Sequence, residues 1–152
     1  MAASAAIKAI QDGDLDALSQ LLNENPGLAS ERIVRERGQT LTLLHVATDW
    51  PGHLANGAKT VARLVAGGAD VNRRFDGPNK QTPLHWAASS NDVEVLDALL
   101  DAGADIEAPG AFKGVGGPLD NAVGFGQWAA ACRLVERWRA NEPLARCRSR
   151  DG

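Results

Sequence analysis

Apolar side chains recur at helical spacing in several short stretches of this chain, and each stretch ends at a turn signal. Between residues 7 and 22 the apolar positions fall every three or four residues on either side of Asp12-Gly13-Asp14. This pattern predicts a helix, a tight turn and a second helix that ends at Asn25-Pro26-Gly27. Residues 81–108 repeat the arrangement and end their second helix at Gly103. The chain is therefore predicted to be a series of helical hairpins.

A six-residue motif opens the most regular of these hairpins, with the sequence Thr82-Pro83-Leu84-His85-Trp86-Ala87. Close copies begin the neighbouring hairpins at Thr42-Leu43-Leu44-His45-Val46-Ala47 and at Gly117-Pro118-Leu119-Asp120-Asn121-Ala122. The central copy fits the signature T-P-L-H-x-A at every fixed position, and on this motif the chain resembles ankyrin-repeat proteins. The resemblance implies an all-α solenoid of stacked helix-turn-helix units, joined by β-hairpin-like loops.

The resemblance covers roughly residues 5 to 138 and implies four repeats. We expect one domain over residues 1–140, followed by a polar tail at 141–152. The first repeat lacks the signature and is interpreted as an N-terminal cap, since a polar end repeat keeps a solenoid soluble. The repeats are placed at roughly 4–38, 39–78, 79–114 and 115–140.

The second repeat is longer than the third. His85 and Gly103 are 18 residues apart, whereas the equivalent His45 and Gly68 are 23 residues apart. Five additional residues therefore fall between the two helices of the second repeat, within residues 49–57. Insertions in repeat proteins map to loops on one face, and that face often binds a partner.

The last repeat departs from the pattern at its second helix. Trp138 stands where the two preceding repeats have the glycine that ends this helix. The helix is therefore expected to continue to Asn141-Glu142-Pro143, where proline stops it. Trp128 and Trp138 are expected to cover the apolar end of the stack.

Composition and charge mainly narrow the class of protein. A net charge of -3 at pH 7 gives no overall reason to bind nucleic acid or an anionic membrane. No apolar run is long enough, at about 18 residues, to predict a transmembrane helix. Cys132 and Cys147 have no paired spacing, and the N-terminus lacks a secretory pattern, so we expect a reduced, cytoplasmic monomer.

His45, His85 and Asp120 occupy the same position in three successive repeats. Imidazole and carboxylate groups are common metal ligands and proton carriers. We interpret the histidines as structural, because backbone groups between neighbouring repeats need side-chain partners. The chain has no H-E-x-x-H, paired-cysteine or G-x-S-x-G pattern. The resemblance implies neither catalytic residues nor a cofactor, so we expect no catalytic, metal or cofactor site.

Large aromatic side chains fall at positions expected on the concave face. Trp86 follows the signature histidine and should point off its helix. Trp50 ends the preceding first helix, Phe125 ends the last one, and His53 lies beside them in the insertion. Tryptophan is enriched at interface hot spots because it buries a large area and keeps one donor. The alternatives are that Trp50 folds inward against the insertion and that its neighbours bury Trp86.

A small basic group, Arg73, Arg74 and Lys80, lies on the middle hairpin near Asp76. It is either a solvated hairpin tip or a set of rim contacts for an acidic partner.

The leading hypothesis is a non-catalytic module that binds a protein or peptide on its concave face. The residues expected to contact this partner are Trp50, His53, Arg73, Arg74, Trp86 and Phe125. The alternative is a small-molecule or enzymatic pocket in the same groove, with proton transfer by Asp49, His53, His85 and Asp120. A third possibility is a repeat fragment that binds nothing alone and serves within a larger chain.

Overall fold

The computed structural model describes residues 2–110 and 116–141, which form eight α-helices in four hairpins. The helices are α1 (Ala2–Asp12), α2 (Leu15–Glu24), α3 (Leu43–Thr48), α4 (Gly57–Ala66), α5 (Pro83–Ser89), α6 (Val93–Asp101), α7 (Pro118–Gly124) and α8 (Trp128–Asn141). The first helices of the hairpins pack side by side in chain order, and the second helices form another row behind them. The predicted all-helical stack is confirmed.

Aspartates set the starting points of two second helices. Asp14 precedes α2 and accepts a hydrogen bond from the backbone N–H of Ala17 at 3.0 Å. Asp92 precedes α6 and accepts from the backbone N–H of Val95 at 3.4 Å. These bonds satisfy N–H groups that the first turn of a helix leaves without a partner. The predicted tight turn between α1 and α2 is confirmed by these boundaries.

Short hairpins connect the repeats on one side of the stack. Strands β1 (Ile33–Val34) and β2 (Thr40–Leu41) pair antiparallel between α2 and α3. The backbone of Asp76, in the next hairpin, exchanges two hydrogen bonds with Thr40 at 3.2 and 2.8 Å. The first and second hairpins are therefore joined edge to edge. Residues 111–115 and 142–152 lie outside the described residues.

The apolar core lies between the two rows of helices. Every helical hairpin supplies buried aliphatic side chains. Each buried side chain stabilises the fold by about 1.5–3 kcal/mol. The largest fully buried aliphatic side chains are Ile10, Leu18, Leu41, Leu43, Leu44, Leu64, Leu84, Leu96, Leu99 and Leu134.

The long last helix is attached to its neighbour by ion pairs. Arg133 contacts Asp97 at 2.8 Å, and Arg137 contacts Asp97 at 3.2 Å and Asp101 at 2.8 Å. Helix α8 runs on to Asn141, as expected from the missing glycine. Its polar face thus binds α6 by charge as well as by packing.

His45 fastens the second repeat to the third. The ring is fully buried, and its Nδ1 accepts a hydrogen bond from the backbone N–H of Thr42 at 3.3 Å. Its Nε2 lies 3.0 Å from the backbone carbonyl of Gln81 in the next repeat. A neutral ring protonated at Nε2 satisfies both contacts, because one nitrogen accepts and the other donates. The structural interpretation of His45 is confirmed.

The equivalent positions in the next two repeats keep the local part of this arrangement. His85 is fully buried and accepts from the backbone N–H of Thr82 at 3.1 Å. Asp120 accepts from the backbone N–H of Gly117 at 2.7 Å through its Oδ2. A carboxylate oxygen therefore replaces the imidazole nitrogen as the acceptor at the start of α7.

Burial lowers the pKa of both histidines to about 4. Loss of water disfavours the charged imidazolium and lowers the pKa. This effect is larger than the opposite effect of the backbone carbonyls, which favour the charged form. The nearby arginines Arg73, for His45, and Arg74, for His85, lower the pKa further by repulsion. Both rings are therefore neutral at physiological pH.

Acidification below pH 6.5 is expected to destabilise the fold. The folded pKa lies below the unfolded value of about 6.5, so the unfolded chain binds more protons between pH 6.5 and 4. Stability is fully present above this window and decreases within it as the pH falls. The loss is about 1.4 kcal/mol per histidine between pH 7.5 and 5.5. Urea denaturation at these two pH values measures it, before most carboxylates titrate.

The control is His85→Asn, whose side-chain carbonyl can still accept from Thr82 but does not titrate. We expect this variant to lose about half of the pH dependence. An unchanged difference in unfolding free energy between pH 7.5 and 5.5 would contradict the assignment.

Candidate functional site

The inserted segment, residues 49–56, lies between α3 and α4 and spans three consecutive inter-helix turns. Asn56 donates to the backbone carbonyl of Gly13 at 2.9 Å, in the turn of the first repeat. The backbone N–H of His53 donates to Asp92 at 2.8 Å, in the turn of the third repeat. Its Nε2 lies 2.9 Å from the carbonyl of Ser90 in the same turn. The five additional residues predicted here are confirmed, and they bind both neighbouring repeats.

Glycines permit the close contacts of the inserted segment. Gly13 has a φ of 71°, and a Cβ atom there would lie 2.6 Å from the backbone oxygen of Ala55. Gly52 has a φ of 72°, and a Cβ atom there would lie 2.9 Å from the Cβ of Ser90. Both the backbone conformation and the short distance therefore require glycine at these positions.

The inserted segment presents Trp50 to solvent. The Trp50 side chain is 75% exposed, and its backbone N–H donates to Asp49 at 2.9 Å. The other carboxylate oxygen of Asp49 contacts Arg35 of the first hairpin at 2.6 Å. Trp50 therefore points outward, as expected, and the alternative in which it folds inward does not describe the structure.

Trp50 lines a depression of about 390 Å³ that we name the Trp50 depression. The first hairpin, α1, α3 and the inserted segment all contribute to it. Val34, on strand β1, is 69% exposed, so this depression carries two exposed large apolar side chains. Its lining residues are Ile7, Gln11, Ile33, Val34, Arg35, Leu41, Val46, Asp49, Trp50, Pro51 and Leu54.

Trp86 does not point freely off its helix, and the expectation that it is an outward anchor needs correction. The side chain is half-buried against the core. Its ring lies 4.8 Å from that of His45, edge-on, and 5.4 Å from that of Phe75. Sequence reasoning missed Phe75, whose ring packs beside that of Trp86. The alternative in which neighbours bury Trp86 is closer to the structure.

The other residues expected in the groove lie in separate surroundings. Phe125 is exposed at the end of α7, and the described lining of the Trp50 depression includes no residue of that helix. His53 binds the turn between α5 and α6 and lines a different depression with Leu54 and Asp92. The structure does not unite Trp50, Trp86 and Phe125 in one patch.

The four residues of the enzymatic alternative do not converge. Asp49 pairs with Arg35, and His53 binds a backbone carbonyl. His85 is enclosed in the core, and Asp120 caps the start of α7. Each polar group therefore has a local structural role, and the geometry offers no shared position for a reacting atom.

The basic group forms part of a second depression, which we name the hairpin depression. Its volume is about 400 Å³. Arg74 donates to the backbone carbonyls of Lys80 at 2.9 Å and Pro109 at 2.7 Å, so it links two hairpins. The lining residues are Arg32, Asp70, Asn72, Arg73, Arg74, Phe75, Asp76 and Lys80.

A third depression, of about 510 Å³, lies at the C-terminal end of the stack. Leu119, Leu134 and Trp138 contribute to its apolar lining. Trp138 donates to Glu107 at 3.4 Å and partly covers this end, as expected. Trp128 stays 64% exposed, so the expectation that it covers the end is wrong.

Across residues 2–110 and 116–141, no helix combines the length and the apolar character needed to cross a membrane. In the same ranges, no three or more His, Cys, Asp or Glu side chains are grouped so that they could hold a metal ion.

Comparison with known proteins gives matches over much of this chain. The family model for ankyrin repeats, in three copies, matches residues 6–110. The probable E3 ubiquitin-protein ligase XBOS31 of Oryza sativa subsp. japonica is 33% identical in an alignment of 130 residues that covers 67% of this chain and 28% of that protein. The E3 ubiquitin-protein ligase XB3 of the same plant is 37% identical in an alignment of 103 residues that covers 65% of this chain and 20% of that protein. Myotrophin of Xenopus tropicalis is 50% identical over 45 residues, or 30% of this chain and 36% of that protein. The chain thus spans less than a third of either plant ligase.

The packing of the inserted segment can be tested with two glycine substitutions. Gly13→Ala and Gly38→Ala both place a side chain at a positive φ, of 71° and 73° respectively. Only the first meets backbone atoms, because nothing lies within 4 Å of a Cβ at Gly38. We expect Gly13→Ala to cost about 1–3 kcal/mol more in unfolding free energy, measured by urea denaturation. Equal losses of unfolding free energy in the two variants would show that the inserted segment moves aside without further destabilising the fold.

The different environments of two tryptophans predict different effects on stability. Trp86→Ala removes a half-buried ring and is expected to lower the unfolding free energy by about 2–4 kcal/mol. Trp50→Ala removes an exposed ring and is expected to change it by less than about 0.5 kcal/mol. The same urea denaturation measures both. A large loss for Trp50→Ala would place that ring in the packed structure.

Proposed function

The chain belongs to the ankyrin-repeat family, and we propose that it binds a protein partner through the Trp50 depression. Ankyrin repeats are in general protein–protein interaction modules, and the family is generally not enzymatic. The two plant relatives named as ligases extend far beyond the matched region. The interaction module is therefore the property that carries over to this chain.

The observation that carries this proposal is the exposed ring of Trp50 beside the exposed side chain of Val34. Burying a tryptophan removes some 150–250 Å² from water, which is worth several kcal/mol at about 25 cal/mol per Å². The Arg35–Asp49 ion pair borders the two apolar groups. An apolar centre with a polar rim is the arrangement typical of protein interfaces.

The contacts of the inserted segment support the proposal because they hold Trp50 in place before a partner arrives. Asn56 binds the first repeat, and His53 binds the third. Fixing a loop in advance reduces the entropy lost on association. Most of the binding energy of an interface comes from a few such anchors.

We also propose that the protein acts as a cytoplasmic monomer. The lack of paired spacing between Cys132 and Cys147 in the given sequence supports a reducing compartment.

A capture experiment tests the proposed surface. The wild-type chain and the Trp50→Ala variant are immobilised and exposed to an extract of the native cells, and captured proteins are quantified by mass spectrometry. We expect the specific partner to bind Trp50→Ala more weakly by on the order of 2 kcal/mol, or roughly 30-fold.

The matched control is Trp128→Ala, because Trp128 is also exposed but lies in the last repeat. Partner binding to this variant should equal that of the wild type. If the partner binds the Trp50→Ala variant but not the Trp128→Ala variant, the binding surface lies on the last repeat and the proposal is wrong.

A further inference from the structure

We infer that the partner presents an acidic segment, which places an apolar side chain in the Trp50 depression and carboxylates over the hairpin depression. This inference rests on the proposed function and specifies the chemistry of its partner. It depends on the short distance between the two depressions and on the charge of the hairpin depression.

The two depressions are adjacent at the first hairpin. Arg32 lines the hairpin depression, and the next residue, Ile33, lines the Trp50 depression. Across the sheet, Val34 pairs with Thr40, which in turn bridges to Asp76 of the second hairpin. Neighbouring strands lie about 4.8 Å apart, so Val34 and Asp76 are roughly 10 Å apart. An extended peptide covers this distance with about three residues, at about 3.3 Å each.

The hairpin depression has a surplus of positive charge. Four cationic side chains line it, against two carboxylates, in a chain whose overall net charge is -3. None of the four forms an ion pair within residues 2–110 and 116–141. The cations are Arg32, Arg73, Arg74 and Lys80. Complementary charge on a partner selects it and accelerates its association.

Arg74 is held in a geometry that suits a carboxylate. Its Nη1 donates to the carbonyls of Lys80 and Pro109, which belong to different hairpins. A guanidinium group has five N–H donors, so these two bonds fix the group and leave others for a carboxylate. Carboxylates bind guanidinium through charge-assisted hydrogen bonds, which are about twice as strong as neutral ones.

The apolar and basic features together favour an acidic protein segment over nucleic acid. The Trp50 depression offers an apolar side chain a place beside Val34, apart from the four cations of the hairpin depression. A nucleic-acid surface is typically basic over a whole face, whereas this chain is acidic overall. The four cations line the adjacent hairpin depression and not the apolar depression itself.

A displayed library of random peptides, about twelve residues long so that extended members cross both depressions, tests the inference. The purified full chain and its Trp50→Ala variant are used as bait. We expect the wild type to enrich peptides that combine one large apolar residue with two or more neighbouring Asp or Glu residues. The best peptide is then synthesised, and its affinity is measured by fluorescence anisotropy at low and high salt.

Two charge-reversal variants provide a matched comparison. Lys80→Glu changes the hairpin depression, whereas Lys59→Glu changes an exposed lysine of α4 that also lacks an ion pair within the described ranges. We expect the first to weaken binding of the acidic peptide by roughly five- to tenfold and the second by less than about twofold. Added salt should weaken binding to the wild type and have less effect on Lys80→Glu.

The outcomes separate this inference from the proposed function. Enriched peptides that are neutral or basic but require Trp50 overturn the acidic class and leave the proposed function standing. Acidic peptides that bind Trp50→Ala as tightly as the wild type overturn the Trp50 depression as the docking site. Enrichment no greater for the wild type than for Trp50→Ala overturns both. Tighter binding of a fluorescent single-stranded oligonucleotide than of the best peptide overturns the choice of a protein segment.

Discussion

A two-helix repeat cannot enclose its own apolar face, so every repeat of this chain depends on contact with a neighbour. Burial supplies most of the stabilisation, but it also isolates the backbone groups at each junction from water. The neutral ring of His45 resolves this conflict at one junction, because it accepts from its own repeat and reaches the carbonyl of Gln81 in the next. The ring meets both requirements only when it is uncharged, because a protonated ring cannot accept. Its pKa is low because the same junction buries it. The packing of the repeats, the protonation state of His45 and its hydrogen bonds therefore depend on one another.

Much of the fold could be predicted from the sequence because repetition fixes the register. Once His45 and His85 are aligned, the distance to the following glycine reveals the inserted residues by counting. The contacts of that insertion could not be predicted, because His53 meets Asp92 across 39 residues and Asn56 meets Gly13 across 43. Such contacts depend on how neighbouring turns are arranged in space, which a pattern within one repeat does not describe. A glycine at position 13 was visible in the sequence only as a turn residue.

Trp86 shows why the candidate site was harder to predict than the fold. Its place on α5 was correct, but the side chain packs partly against the core. Whether such a side chain remains exposed depends on what the neighbouring hairpin places beside it, and here Phe75 packs against the ring. Trp50 stays outside because the inserted segment binds neighbouring turns through its backbone and His53, so the ring is not needed for packing. Exposure is thus set by hairpins and insertions, whose paths vary most between repeats.

The three-turn attachment of the inserted segment has a consequence for how this array can change during evolution. Repeat arrays gain and lose units by duplication and deletion, which succeed when any unit fits beside any other. The second repeat is not interchangeable in this way, because it needs a glycine before it at position 13 and an acceptor after it at Asp92. A copy placed between the third and fourth repeats would meet Asn91 in place of the glycine and Gln127 in place of the aspartate. The first three repeats are therefore expected to be inherited together, while the fourth, which the inserted segment does not contact through these bonds, can diverge independently.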